Sequence, residues 1–378
     1  MADVQGALPL KARQELRDAL STTEDHFISA LPKVELHVHI EGCLTPDLKW
    51  KFANRNGQTL SHPHTGELFT TLEQYRDSHD PMKAHGGTSM NNSEETLSFF
   101  DAYYGGFEVL KTRQDYYDLA MHYFEHAAAM NVRYVELFFD PQGHTATGTT
   151  WETMMNGLRE AQKDAEERLQ VKSAWIMCFL RDLSPGSAME HYMAALEYRN
   201  MIVGIGLDSN EDGRPPMLFK DVFERARRDG LRLTVHCDVG KTYPLQHIKE
   251  TVNDRPRGIG ADRVDHGLNV VESPDLMNLI RRKDVGMTIC PWSYIRHQPF
   301  EEVFERIRTL YDAGIRLAIA SDDPAFMEDT WIHENLLVLR KYCRFEDKDF
   351  VRLTKDTVEM CWASKEVKTR ILDELGSI

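Results

Sequence analysis

The sequence has few of the features that mark secreted, membrane-bound or nucleic-acid-binding proteins. Its six cysteines are scattered, with no C-x-x-C pair and no short disulfide framework. No stretch approaches 18 uninterrupted apolar residues, and the amino-terminal residues lack the apolar core of a secretory signal. Lysine and arginine total 45 against 60 acidic residues, so the formal charge is −15. The basic residues form no stripe along the sequence that would bind a phosphate backbone. We therefore expect a soluble cytoplasmic protein, with the nucleus left open, whose cysteines are thiols and which binds neither nucleic acid nor membrane.

What the sequence does contain is a regular alternation of strand-like and helix-like segments. Short runs rich in β-branched and aromatic residues recur, and each is followed by a longer segment with helical spacing. No glycine-rich phosphate loop follows the first run, so eight such units favour a closed barrel over an open doubly wound sheet. The predicted strands are Val34–Ile40, Val132–Phe139, Ser173–Leu180, Ile202–Leu207, Leu231–Cys237, Arg263–His266, Gly286–Cys290 and Ile315–Ser321.

The predicted fold is an α/β (β/α)₈ TIM barrel made of one domain over residues 1–378, a length that barrels reach when their loops carry insertions. Residues 1–30 are expected to form an amphipathic helix outside the barrel. Residues 44–131 separate the first two strands and have helical patterns at Ser93–Leu110 and Asp115–Met130. Insertions in barrels lie in the loops that follow strands, so this one should cover the mouth of the active site as a helical lid.

Histidine and aspartate residues stand where several predicted strands end. The first strand ends in His37-Val38-His39, and alternation places both imidazoles on one face. The fifth, sixth and eighth strands end at His236, His266 and the Asp322-Asp323 pair. Side chains at this end of a barrel strand point into its mouth, so these groups should meet there.

Three imidazoles and one carboxylate with an open position are the donor set of catalytic zinc. We assign His37, His39, His236 and Asp322 as the ligands of one Zn²⁺. No lysine stands at a strand end to supply the bridging anion that a two-metal site usually needs, so one ion is expected.

Several of these segments resemble the motifs of the adenosine and adenine deaminase family. The resemblance runs in order from about residue 31 to residue 360. The stretches LPKVELHVHIEG, DRVDHG and SDDPAF are similar to motifs of the whole family, and VELFFDPQ, MCFLRDLS and GLDSNEDGRPP are closer to its adenine deaminase branch.

The resemblance implies a zinc-dependent aminohydrolase that acts on a 6-aminopurine such as adenine or a related heterocycle. His266 would act as base toward a zinc-activated water, and Asp322 would also orient that water. Asp323 would hydrogen-bond ring nitrogen 7 of the purine, and the backbone near Ser209 would meet the opposite edge. The implied partner is a small-molecule substrate, and an oligomer stays open.

One catalytic position departs from the family pattern. The motif H-A-G-E carries a glutamate that shares a proton with ring nitrogen 1, but here the stretch is His236-Cys237-Asp238-Val239. General acid catalysis contributes about 10²–10⁴ in rate, so its loss should cripple ordinary adenine deamination. Three interpretations compete: Asp238 replaces the acid, the substrate is not a plain 6-aminopurine, or the chain is a noncatalytic metal- or purine-binding paralogue. From the sequence alone we favour the second, and Val239→Glu should raise adenine deamination if the purine pocket persists.

Further candidates for substrate contact lie beside these motifs. Trp292 and Arg296 follow the seventh strand, and Arg296 could bind a substrate carboxylate or lie at the surface. Glu41 follows the second histidine by two residues. It could contact the substrate, support a ligand histidine or cap the following helix.

Overall fold

The chain folds into eight parallel strands that form one sheet in sequence order. The computed structural model describes residues 6–62, 65–84, 99–254 and 256–378. Within these residues the strands are β1 (Lys33–His39), β2 (Val132–Phe139), β3 (Lys172–Leu180), β4 (Ile202–Asp208), β5 (Arg232–Cys237), β6 (Arg263–His266), β7 (Gly286–Ile289) and β8 (Leu317–Ile319).

The sheet curls into a barrel because the residues after β8 return to β1. The Asp322 N–H donates to the His37 carbonyl at 3.1 Å, and the His39 N–H donates to the Asp322 carbonyl at 3.0 Å. Every neighbouring pair of strands is parallel, so all eight carboxyl ends face one rim. The (β/α)₈ barrel prediction is confirmed, and each predicted strand is present with ends shifted by at most two residues.

Helices surround the barrel and cover its rim. In the described part of the chain they are α1 (Leu10–Ser21), α2 (His26–Ala30), α3 (Pro46–Arg55), α4 (Leu72–Ala84), α5 (Phe99–Phe107), α6 (Arg113–Ala129), α7 (Pro141–Ala146), α8 (Trp151–Asp164), α9 (Pro185–Ala195), α10 (Lys220–Arg228), α11 (Pro244–Val252), α12 (Pro274–Lys283), α13 (Pro291–Ile295), α14 (Phe300–Asp312), α15 (Ile332–Tyr342), α16 (Asp347–Met360) and α17 (Lys365–Leu375). None of them is long and apolar enough to span a membrane.

The segment before β1 forms two helices where one was predicted. Helix α1 ends at Ser21, and α2 begins anew because the Asp25 carboxylate accepts from the Ile28 N–H at 2.8 Å. Helix α1 is pinned to the barrel by Arg13, whose buried guanidinium donates twice to Glu328 at 3.0 and 3.1 Å. The structure thus has two helices in residues 6–30, where the sequence predicted one over residues 1–30.

The long segment between β1 and β2 contains four helices among its described residues. Helices α3 to α6 occupy it, and α5 lies across the carboxyl-terminal rim. The helical pattern predicted at Ser93–Leu110 is present as Phe99–Phe107, while residues 93–98 lie outside the described part. The pattern at Asp115–Met130 is present as Arg113–Ala129, capped by Thr112. That residues 44–131 form a lid, and that residues 1–378 form one domain, both remain predictions.

All six cysteines are buried and free of disulfide bonds, as predicted. They are Cys43, Cys178, Cys237, Cys290, Cys343 and Cys361.

Candidate active site

Three histidines and one aspartate converge at the centre of the carboxyl-terminal rim. The His39 and His236 Nε2 atoms lie 3.1 Å apart. The Asp322 Oδ1 atom lies 3.3 Å from His37 Nε2 and 3.9 Å from His39 Nε2. All four residues are buried. The distances show that the structure brings together every side chain assigned to the metal from sequence.

Local backbone geometry at the strand ends aims these groups inward. Ser209, His266 and Asp322 have φ angles of 71°, 62° and 67°. Such left-handed conformations cost roughly 1–2 kcal/mol for a residue other than glycine, and they cluster where function requires a particular orientation. Each follows or ends a strand, so the chain turns there and its side chain reaches the rim.

A buried aspartate orients two of the three histidines from behind. Asp265 accepts hydrogen bonds from Thr234 Oγ1 at 2.5 Å and Thr288 Oγ1 at 2.8 Å. The same Thr288 hydroxyl bonds to His37 Nδ1 at 2.8 Å, and the Asp265 carboxylate lies 3.5 Å from His236 Nδ1. Partners of this kind fix the tautomer of a ligand histidine, so its other nitrogen faces the ion.

The donor atoms fit a small cation. Burial, reinforced by the charge of His37, lowers the pKa of His39 to about 3 and that of His236 well below its ordinary value, so both rings are neutral. Burial alone would lower the pKa of His37 too, but the carboxylates of Asp265 and Asp322 raise it to about 10. The His37 Nε2 atom has no hydrogen-bond partner among the described residues. His39 and His236 therefore offer neutral imidazoles, and a cation at His37 would displace the proton that the two carboxylates favour there, as metal binding requires.

His266 and Asp238 face each other beside this cluster. The His266 Nε2 atom lies 3.3 Å from Asp238 Oδ1, and its Nδ1 is held by the Tyr294 hydroxyl at 3.1 Å. Tyr294 is fixed in turn, because its oxygen accepts from the Cys290 N–H at 3.1 Å. Burial raises the pKa of Asp238, although the charge on His266 opposes the effect.

At the departure from the H-A-G-E motif, Asp238 and Val239 face in different directions. Asp238 lines the cavity, whereas Val239 is 3% exposed and packs in the hydrophobic core. The Asp238 N–H donates to Glu211 Oε1 at 2.7 Å, and Glu211 pairs with the buried Arg181 at 3.1 Å. Because Val239 faces the core, the expectation that Val239→Glu would raise activity is no longer supported: the new carboxylate would be buried without a partner.

Three of the predicted substrate contacts line the cavity. They are Asp323, Ser209 and Arg296. Asp323 approaches the backbone of Gly42 so closely that a Cβ there would lie 2.1 Å from its Oδ1 atom. Arg296 is buried, with its Nε 3.7 Å from Glu328 and its Nη1 2.9 Å from the Met327 sulfur, so it is not a surface residue.

Two predicted contacts lie behind the cavity wall. Trp292 is fully buried and donates its indole N–H to Glu328 at 2.7 Å. Glu41 Oε1 accepts from the Asp140 N–H at 2.9 Å and bonds to His144 Nε2 at 2.7 Å, and the Tyr103 hydroxyl lies 3.5 Å from Oε2, so both oxygens contact the protein. The structure therefore places both residues in support of the wall, and neither reaches the substrate space.

The same rim carries residues that the sequence interpretation missed. Asp140 and Asp208, at the ends of β2 and β4, line the cavity, and the strand-end rule would have found them. Tyr103 and Tyr104 enter from α5, and no local sequence signal marked them. The Tyr103 hydroxyl donates to Asp140 at 2.9 Å, and that of Tyr104 contacts the Ser209 hydroxyl.

Comparison with known proteins places this site in a family. The family model described as adenosine deaminase matches residues 32–378. An uncharacterized deaminase of Schizosaccharomyces pombe is 38% identical over 356 residues, which are 94% of this chain and 98% of that protein. An adenine deaminase of Vibrio parahaemolyticus is 36% identical and covers 91% of this chain and 95% of its own length.

A solved structure agrees with both relatives. The crystal structure of adenine deaminase from Arthrobacter aurescens superposes with a TM-score of 0.79 at 32% identity, over 92% of this chain and 98% of that one. The fold and the relatives thus bear out the resemblance seen in the motifs. The chain belongs to the adenosine deaminase family and is a hydrolase that acts on C–N bonds.

Proposed function

We propose that this protein is a zinc-dependent deaminase of adenine or a closely related 6-aminopurine, with Asp238 in the role of the missing glutamate. The observation that carries the proposal is the pairing of Asp238 with His266 inside the cavity, next to the three converging histidines. The adenine deaminases at 36% and 32% identity support the choice of substrate. The donor set of His37, His39, His236 and Asp322 supports the choice of metal.

The cation would supply a water of lowered pKa and an electrophilic site. His266 Nε2 would take a proton from the attacking water, with its ring held by Tyr294. Asp322 would orient that water through the oxygen not shared with His37.

Asp238 would hold the proton that ring nitrogen 1 needs, so that carbon 6 becomes electrophilic and ammonia can leave. Its carboxylate reaches the cavity although it is one residue early and one methylene shorter than the family's glutamate, because Glu211 fixes its backbone. Asp323 would meet ring nitrogen 7, and Ser209 the opposite edge of the base.

Variants at Asp238 test the proposal. Adenine deamination by Asp238→Asn should fall about 10²–10⁴-fold, because the side chain keeps its shape and loses its proton, while the zinc content stays at one per chain. Asp212→Asn, on an exposed loop, is the matched control and should keep wild-type activity.

Two results would overturn the assignment. Full activity of Asp238→Asn would remove Asp238 from the chemistry. A zinc-loaded wild-type protein that releases no ammonia from adenine would favour another substrate or the noncatalytic alternative.

A further inference from the structure

One side of the cavity carries donor groups that the chemistry above does not use. Ser293, Arg296 and His297 line it, and their spacing of three and four residues places them on one face of α13 and the turn that follows. Burial lowers the pKa of His297 to about 3, and the charge of Arg296 adds to the effect, so this ring is neutral. The guanidinium therefore supplies the charge of these three residues, which we call the Arg296 face.

The protein balances the charge of Arg296 only in part. Its Nε atom lies 3.7 Å from Glu328 and has no hydrogen-bond partner among the described residues, and its Nη1 donates to the weakly accepting sulfur of Met327. Glu328 already accepts two hydrogen bonds from Arg13 and one from the Trp292 indole. Two buried guanidinium groups thus share one carboxylate, and burial lowers the pKa of Arg296 in spite of the acidic groups nearby. An anion that entered the cavity would be stabilised at this face.

The place of the Arg296 face in the barrel indicates which part of a substrate it would meet. The inference rests on the proposed function here, because that function puts ring nitrogen 1 at Asp238 and ring nitrogen 7 at Asp323. These two residues follow β5 and β8, and the Arg296 face follows β7, which lies between them in the sheet. The exocyclic nitrogen on carbon 6 lies on the purine edge between nitrogens 1 and 7. A substituent on that nitrogen would therefore point toward Arg296.

We propose that the substrates of this protein include 6-aminopurines whose exocyclic nitrogen carries a carboxylate, and that the Arg296 face binds that carboxylate. A guanidinium can donate two parallel N–H bonds to a carboxylate, and such charge-assisted bonds are about twice as strong as neutral ones. Ser293 and His297 add a hydroxyl and an imidazole beside it. Adenine itself would leave this face without a partner.

Hydrolysis of such a substrate needs the same bond changes as the release of ammonia. The oxygen of water bonds to carbon 6, the bond from carbon 6 to the exocyclic nitrogen breaks, and its electron pair stays on the nitrogen. That nitrogen takes up a proton from the water and leaves as the amine of an amino acid. With purin-6-ylglycine as substrate the products are hypoxanthine and glycine, so water is the only co-reactant.

Binding of a matched pair of analogues tests the inference without turnover. In 3-(purin-6-yl)propanoic acid and its amide a methylene replaces the exocyclic nitrogen, so neither compound can be hydrolysed at carbon 6. Calorimetry on the zinc-loaded full chain should show at least about tenfold tighter binding of the acid. In Arg296→Gln that preference should shrink toward equality, and Arg296→Lys should restore part of it. Arg282→Gln removes an exposed arginine, controls for overall charge and should keep the full preference.

Equal or undetectable binding of the acid and the amide by the wild type would overturn the inference. An undiminished preference in Arg296→Gln would do the same, because the carboxylate would then bind elsewhere, such as on the zinc ion. Hydrolysis gives a further test: a zinc-loaded protein that deaminates adenine but releases no glycine from purin-6-ylglycine contradicts the substrate class.

Adenine deamination, measured separately, distinguishes this inference from the proposed function. Deamination of adenine without a preference for the acid removes only this inference. A preference for the acid, with glycine released from purin-6-ylglycine but no ammonia from adenine, supports the inference and removes only adenine from the proposed function.

Discussion

At the scale of single residues, the site depends on a few positions where the backbone itself is specialised. Ser209, His266 and Asp322 adopt left-handed φ angles at strand ends, which a β-strand pattern does not foretell. Alternation and the strand-end rule did predict that His37, His39, His236 and Asp322 would lie together, because both depend on local periodicity. The sequence left open whether Asp238 replaces the missing glutamate, because Glu211 and Arg181, from other loops, hold the backbone that directs Asp238 to the cavity.

Gly42 is a position where no side chain fits. A methyl group there would overlap Asp323, including its Cα atom at 2.7 Å, so Gly42→Ala must displace Asp323 or the turn after β1. We expect kcat/KM for adenine to fall at least about tenfold, because misplacement by about 1 Å costs that much or more. Gly105→Ala is the matched control: it lies on α5 with open space around it and should leave activity unchanged. Normal activity of Gly42→Ala would show that Asp323 need not hold its place.

At the scale of elements, buried charged side chains hold the helices outside the barrel in place. Helix α5, which supplies Tyr103 and Tyr104, is tied to α3 by Lys49, whose ammonium donates to the Ala102 carbonyl at 2.9 Å. Such contacts join segments far apart in sequence, so composition and periodicity could predict the helices but not the residues they bring to the rim. The position of Trp292 could not be predicted from sequence for the same reason, because its indole N–H bonds to Glu328, which lies beyond β8.

Lys49 should make stability depend on pH. Burial lowers its pKa from 10.5 to about 7, so between these values the unfolded chain binds more protons than the folded one. The contribution to stability is therefore full above pH 10.5 and is lost as the pH falls to about 7. Between pH 7 and pH 10, the Tm of the wild type should rise relative to that of Lys49→Met. Lys51→Met removes an exposed lysine and should show no such difference; parallel Tm profiles for wild type and Lys49→Met would contradict the account.

Helix α1 should depend on its buried ion pair. Arg13→Met removes the guanidinium that donates twice to Glu328 and leaves that carboxylate with the Trp292 indole N–H and with Arg296, whose Nε is 3.7 Å away. Breaking a buried ion pair costs about 3–5 kcal/mol. We expect chemical denaturation to show a loss of that order. Arg17→Met breaks a more exposed contact of the same helix with Asp329 and should cost less than about 1 kcal/mol. Similar losses in the two variants would mean that the Arg13–Glu328 pair does not anchor the helix.

At the scale of the whole molecule, the barrel joins remote parts of the chain around one point. His37 and Asp322 are 285 residues apart in sequence and pair because β8 returns beside β1. The fold class could be predicted because eight βα units repeat. The contact that closes the barrel between β1 and the residues after β8, and the position of α5 over the rim, depend on packing between residues far apart in sequence.

The central claim is that His37, His39, His236 and Asp322 hold one zinc ion. Anomalous diffraction at the zinc absorption edge, from crystals of the zinc-loaded full chain, tests it most directly. We predict a single strong peak about 2.0–2.2 Å from the three histidine nitrogens and an Asp322 oxygen. A peak beside Asp140 and Asp208 instead, or the absence of any peak among these four residues, would contradict it.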